Sequence, residues 1–280
     1  MSRTIDESPI LPPEAMQHYQ QVEEAARLTR VGSQIELIRT QELLSRYLPP
    51  PPAVVYDVGG GAGIYAFWLA ERGYTVHLLD AVPRHIDQAR EAAQTKPDAP
   101  LAGMAVGDAR QLEYADATAE GVLLFGPLYH LTEQADRLQA LREAYRVLRA
   151  GGVVMAVGIS RFTSTINGLL EGAITDPLFR PIMERDLLDG QHRNPTNDPA
   201  YFTTTFFHHP DELLAEVAAA GFEGRIRLAI EGPARLLKAF QTGWQDEAQR
   251  AWLLRLVQQL EEEPSLLGVS THIMVIGYKP

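Results

Sequence analysis

Apolar residues recur along this chain with two alternating periods. Ile35, Leu37, Ile38, Leu43, Leu44 and Leu48 follow three- and four-residue steps within residues 14 to 48, predicting helical structure that Pro49 to Pro52 bring to a stop. Ala53 to Val58 is short and apolar, which predicts a buried strand. Gly63 to Arg72 predicts a helix closed by Gly73, with Tyr74 to Leu79 as the next strand. The alternation continues with a helix at Pro83 to Ala93, strands at Leu101 to Val106 and Gly121 to Phe125, a helix at Gln134 to Arg149 and a strand at Val153 to Ile159. This rhythm predicts an α/β fold around a mostly parallel sheet, covered on both faces and wound by right-handed crossovers.

The rhythm breaks after Ser160. Residues 161 to 206 scatter Asn, Asp, Pro and His without a clean period and predict an insertion. A helix at Pro210 to Ala220 and strands at Gly224 to Ala229 and His272 to Tyr278 follow, separated by amphipathic helical material around Ala234 to Phe240 and Glu247 to Glu262. The expected organisation is an N-terminal helical cap over 1–52, a core over 53–160, the insertion over 161–206, and a C-terminal completion of the sheet with a helical insertion over 207–280.

Composition narrows the class. Hydrophobic residues make up 45% of 280, enough to bury a sizeable interior. A formal charge of -11 and a pI near 5.2 oppose a phosphate backbone, so no nucleic-acid partner is expected. The absence of cysteine excludes disulfides and thiolate chemistry. Met1 to Pro13 lacks the apolar core of a signal peptide, and runs such as Val153 to Val157 are too short to cross a bilayer. A cytoplasmic protein without a membrane partner is expected, as a monomer or a homodimer.

One segment carries most of the chemical information. In Val54-Val55-Tyr56-Asp57-Val58-Gly59-Gly60-Gly61-Ala62-Gly63, a strand opens into glycines and then a helix. Missing side chains let backbone approach a ligand, and a helix N-terminus offers unpaired N–H groups to a negative group. Gly61-x-Gly63-x-x-Ala66 also satisfies a dinucleotide pattern. Asp80, 23 residues after Asp57, can serve ribose hydroxyls in either class. Asp57 distinguishes them, because a dinucleotide site usually has an apolar residue there.

With Asp57-Val58-Gly59-Gly60-Gly61-Ala62-Gly63 the chain resembles the class I S-adenosylmethionine-dependent methyltransferases of small-molecule type. The resemblance extends to Asp80 and Ala81, to Gly107-Asp108-Ala109 after the third strand, and to Phe125-Gly126-Pro127-Leu128-Tyr129-His130-Leu131 after the fourth. It continues through Leu141 to Gly152, a helix and a Gly-Gly turn before the fifth strand. It implies a Rossmann-like, doubly wound, seven-stranded sheet that binds S-adenosyl-L-methionine and releases S-adenosyl-L-homocysteine. By location, Tyr19 and Arg30 in the cap are further cofactor candidates.

Methyl transfer from a sulfonium is an in-line displacement helped mainly by positioning and water exclusion, so no metal is expected. The acceptor should meet the carboxyl edge of the sheet. Tyr129 and His130 fall there, with His130 a candidate general base. Arg161, Arg193, Tyr201 and His208 are substrate candidates on or beside the insertion, because loops on a rigid scaffold often carry recognition. A small-molecule acceptor is expected. A nicotinamide-dependent oxidoreductase and a catalytically silent S-adenosylmethionine-binding regulator stay open as alternatives.

Overall fold

The computed structural model describes residues 10–21, 28, 33–196, 198–237 and 240–280. Its elements are α1 (Pro13–Gln21), α2 (Gln34–Tyr47), β1 (Val54–Val58), α3 (Ile64–Ala70), β2 (Thr75–Asp80), α4 (Pro83–Gln94), β3 (Gly103–Val106), β4 (Ala119–Leu124), α5 (Pro127–His130), α6 (Gln134–Val147) and β5 (Leu148–Ser160). They continue with α7 (Thr163–Glu171), α8 (Arg180–Asp189), β6 (Gln191–His192), β7 (Thr205–His208), α9 (Pro210–Ala219), β8 (Glu223–Ala229), α10 (Phe240–Gln245), α11 (Glu247–Leu260) and β9 (His272–Tyr278). No described helix is long and apolar enough to cross a membrane.

Among the described residues, seven strands form the main sheet in the order β3-β2-β1-β4-β5-β9-β8, all parallel except β9. Its central strands are covered on both faces, as their apolar sequences require. Val55, Val76, Leu78 and Leu123 pack with α2, α3 and α4, whereas Tyr56, Val58, Val122 and Leu124 pack with α6 and α9. Because β9 runs antiparallel, its first residue, His272, pairs with Ile159 near the end of β5. That register puts His272 at the carboxyl edge, where ligands bind in open α/β sheets.

The expected helix to Arg149 ends instead at Val147, and Leu148 already belongs to β5. The carbonyls of Arg146 and Val147 accept from the N–H groups of Ala117 and Thr118, and the Lys279 ammonium donates to the carbonyls of Tyr145 and Leu148. These partners satisfy the helix end and release the chain into the sheet.

Residues 161–206, which show no period in sequence, contain α7, α8, two short 3-10 turns and β6. Periodicity fails because apolar residues do not mark the inner face: Leu188 is 77% exposed while Asp186 on the same helix is fully buried. Strand β7 crosses the expected boundary at 206 and extends the sheet, pairing in parallel with Ile159 and Ser160 and antiparallel with β6.

The insertion is pinned to the core by a buried ion network. Arg137 on α6 donates to both oxygens of Glu216 on α9 and to the carbonyls of Leu131 and Thr132, while stacking 3.6 Å over the Phe206 ring. Glu216 also meets His208 Nε2 at 3.2 Å. Removing one partner strands a buried charge, which costs more than the pair contributes. Arg137→Ala should therefore lower stability by about 3–5 kcal/mol, read as a shift in the urea midpoint. A loss under 1 kcal/mol would show that water reaches the network.

Candidate functional site

The floor of the main pocket is made where β1 and β4 end. A Cβ at Gly126 would lie 2.5 Å from the carbonyl oxygen of Gly59, so these two loops touch backbone to backbone. Gly61 differs: it has a φ of +59°, and a Cβ there would meet nothing within 4 Å. Its bare face opens onto the space a ligand would fill. Asp80, at the tip of β2, accepts from Gly61 N–H at 2.8 Å through one oxygen, and from Val82 N–H at 2.9 Å through the other. The second oxygen also lies 3.0 Å from His85 Nδ1.

Asp57 lies beneath this surface, fully buried, with its carboxyl group packed under Gly60. Burial and, after it, the Asp80 carboxylate push its pKa up to about 7, the Ala66 backbone amide offsetting only part of the rise.

Helix α1 closes one side of the pocket. Tyr19 shares a 2.7 Å hydrogen bond with His130 Nε2 and packs edge-on against His85. Burial pushes the His130 pKa down to about 4, outweighing the attraction of Asp80, so this imidazole is neutral near pH 7. A base that holds a proton so weakly, with Nε2 already engaged, is poorly matched to proton abstraction at neutral pH. His130 fits a role in orienting Tyr19 better than the general-base role expected from sequence.

Beyond Phe125 and Gly126 the same pocket runs to Leu28, Ile64, Tyr65, Val157 and Ile230, ending at Glu36, Thr40 and His272. His272 Nδ1 lies 2.5 Å from Glu231 Oε1 and 3.9 Å from Glu36 Oε2. Sequence reasoning missed this end entirely. The available signal was His272 itself, the first residue of a final strand that must run antiparallel to sit beside β5.

The comparisons with known proteins agree with this geometry. A family model described as a methyltransferase domain matches residues 56–156. A ubiquinone/menaquinone biosynthesis C-methyltransferase from a Ruegeria species is 30% identical over 181 residues, covering 62% of this chain and 68% of that protein. The chain belongs to the class I S-adenosylmethionine-dependent methyltransferases. A chloroplastic 2-methyl-6-phytyl-1,4-hydroquinone methyltransferase from rice is 33% identical over 108 residues, 37% of this chain but only 28% of the rice protein's length. A Thermotoga maritima structure of an S-adenosylmethionine-dependent methyltransferase, possibly a histamine N-methyltransferase, aligns with a TM-score of 0.57 at 17% identity. It covers 95% of this chain and 100% of its own, a likeness of fold.

The methyltransferase's cradle fits the nucleoside end of S-adenosylmethionine. Gly59, Gly60, Gly61, Asp80, Ala81, Gly107, Asp108, Ala109, Phe125 and Gly126 line one continuous surface, joined by Tyr19, Tyr129 and His130. Asp57 and Gly63 support it from behind, Gly63 as the left-handed residue that starts α3. Arg30 lies outside the described residues.

Four expected substrate residues are placed elsewhere by their own partners. Arg161 pairs with Glu212 at 2.6 Å, and Arg193 donates to the carbonyls of His192 and Thr205. Tyr201 donates to Asp176 and stacks on Phe179, while His208 is fully buried in the Arg137 network. None of the four lines the pocket.

The raised pKa of Asp57 has a testable sign. A carboxyl group whose folded pKa exceeds its unfolded value favours folding while protonated, and that contribution is lost as pH rises through the folded pKa. Relative to Asp57→Asn, wild-type stability should be greatest below about pH 3.8 and should fall as pH approaches and passes about 7. Urea melts of both proteins across this range would read the difference, and a pH-independent gap would contradict it.

Proposed function

We propose that this methyltransferase acts in the cytoplasm on a small, largely apolar acceptor, by in-line displacement at the sulfonium methyl. The observation that carries the reading is the continuity of one pocket from Gly107 and Asp108, through the glycine floor, to an apolar chamber formed by Leu28, Ile64, Tyr65, Phe125, Val157 and Ile230. The glycine floor and Asp80 would hold S-adenosylmethionine beside that chamber, where it would supply the methyl group. Apolar walls then exclude water from a reaction in which a cation becomes neutral.

Two of the relatives are named for quinone or hydroquinone methylation, which agrees with an aromatic, apolar acceptor. Net charge of -11 disfavours a polyanionic nucleic-acid substrate. On this reading the chain's contribution is mainly alignment: the walls hold the acceptor's lone pair opposite the C–S bond, an advantage worth several orders of magnitude in rate.

Calorimetry should show S-adenosylmethionine and S-adenosylhomocysteine binding and NAD not binding. Gly61→Val should abolish that binding, because the new side chain projects into the ligand's space. Binding of NAD alone would remove the cofactor assignment. With methyl-labelled S-adenosylmethionine, label should enter the solvent-extractable fraction when a small hydroquinone is supplied. Label appearing only in added tRNA would overturn the acceptor class.

A further inference from the structure

Asp80 has less capacity for a ligand than its place at the tip of β2 suggests. A carboxylate offers about four lone-pair positions, two on each oxygen. Among the described residues three are taken: Gly61 N–H donates to Oδ2 at 2.8 Å, while Oδ1 accepts from Val82 N–H at 2.9 Å and faces His85 Nδ1 at 3.0 Å. Both oxygens already accept from the backbone, so Nδ1 is the donor in the third bond. One position is left, on Oδ2. The ribose of S-adenosylmethionine carries two neighbouring hydroxyl groups, and a single acid can receive both in a two-pronged grip only if each oxygen has a lone pair to offer.

His85 is held where it blocks the other oxygen. Pro83 starts α4 directly after the β2 tip, and helical side chains lean towards the N-terminus, so His85 reaches back over Asp80. Its ring is 4% exposed, and Tyr19 on α1 packs edge-on against it with centroids 5.2 Å apart. Nε2 is buried with no hydrogen-bond partner among the described residues. Breaking the bond to Asp80 would therefore leave both ring nitrogens buried and unsatisfied, which is the costly case for a polar group.

We propose that His85 is a specificity-determining residue for the cofactor: by holding Asp80 Oδ1, it limits the carboxylate to one ribose hydroxyl, received by Oδ2. This rests on reading the pocket as the S-adenosylmethionine site. The second hydroxyl finds no acceptor on Asp80, and its loss costs little affinity. The ligand class that the site admits is then wider by the cofactor analogues that lack that one hydroxyl. His85 acts through the lone pairs of Asp80 and takes no part at the reacting atoms.

The test is calorimetry of the full-length protein with S-adenosylhomocysteine and with its 2′-deoxy and 3′-deoxy analogues. For wild type, one analogue should bind within about twofold of the parent and the other should be weaker by about tenfold or more, the worth of one hydrogen bond to a charged group. His85→Phe keeps a ring against Tyr19 and frees Oδ1. Both deletions should then cost about tenfold, and the parent should bind more tightly than to wild type. His85→Leu, which also lacks the donor, should repeat that pattern. His85→Asn places an amide N–H where Nδ1 stood and should restore the one-sided pattern, a rescue that a merely structural role for His85 does not predict. Equal losses from both deletions in wild type would overturn the proposal. So would a one-sided pattern that persists in His85→Phe or His85→Leu. Failure of S-adenosylhomocysteine to bind wild type would instead overturn the reading of the pocket, and the proposal with it.

Discussion

The carboxylate of Asp80 holds the site together. Its two oxygens fix the N–H groups of Gly61 and Val82 and engage His85, so one side chain locks the β1–α3 loop, the tip of β2 and the start of α4. Charge placed there has a cost beneath it, because Asp57 is fully buried close by and two carboxylates resist ionising together. The glycine floor thus lies over an electrostatic tension that a cationic ligand would relieve.

From Asp80 the constraint passes outward through rings. His85 packs against Tyr19, and Tyr19 bonds to His130, which joins α1 to the loop after β4. Tyr19 is 8% exposed, and so α1 is part of the pocket wall. A neutral His130 suits that task, since a charged imidazole buried there would bear the desolvation penalty that lowers its pKa.

How much of this was legible in sequence depended on the range of the interactions. Asp57, the glycines and Asp80 are near neighbours in the chain, and their spacing carries the turn geometry directly. The sheet was legible for a similar reason: β1, β2, β4 and β5 are apolar enough to announce burial on both faces. Arg161, Arg193, Tyr201 and His208 could not be placed from sequence, because an Arg, Tyr or His advertises polarity without naming a partner. Arg161 is satisfied by Glu212, 51 residues away, and His208 by a network whose Arg137 lies on another helix. Glu231 and His272 were invisible for the converse reason. Neither belongs to a local motif, and only the antiparallel pairing of β8, β9 and β5 brings them to the edge where the glycine loop ends.

The two ends of the pocket differ in what they ask of a ligand. The cradle is lined mainly by backbone and by Asp80, whereas the far end is lined from four separate places: Glu36 and Thr40 on α2, Ile230 after β8, His272 on β9 and Val157 on β5. Glu36, Ile230 and His272 lie at or just beyond the ends of elements, whereas Thr40 lies within α2 and Val157 within the β5–β9 ladder. The glycine motif is local in sequence while the far end is assembled from distant segments, consistent with local motifs disclosing the cofactor so much more readily than the acceptor.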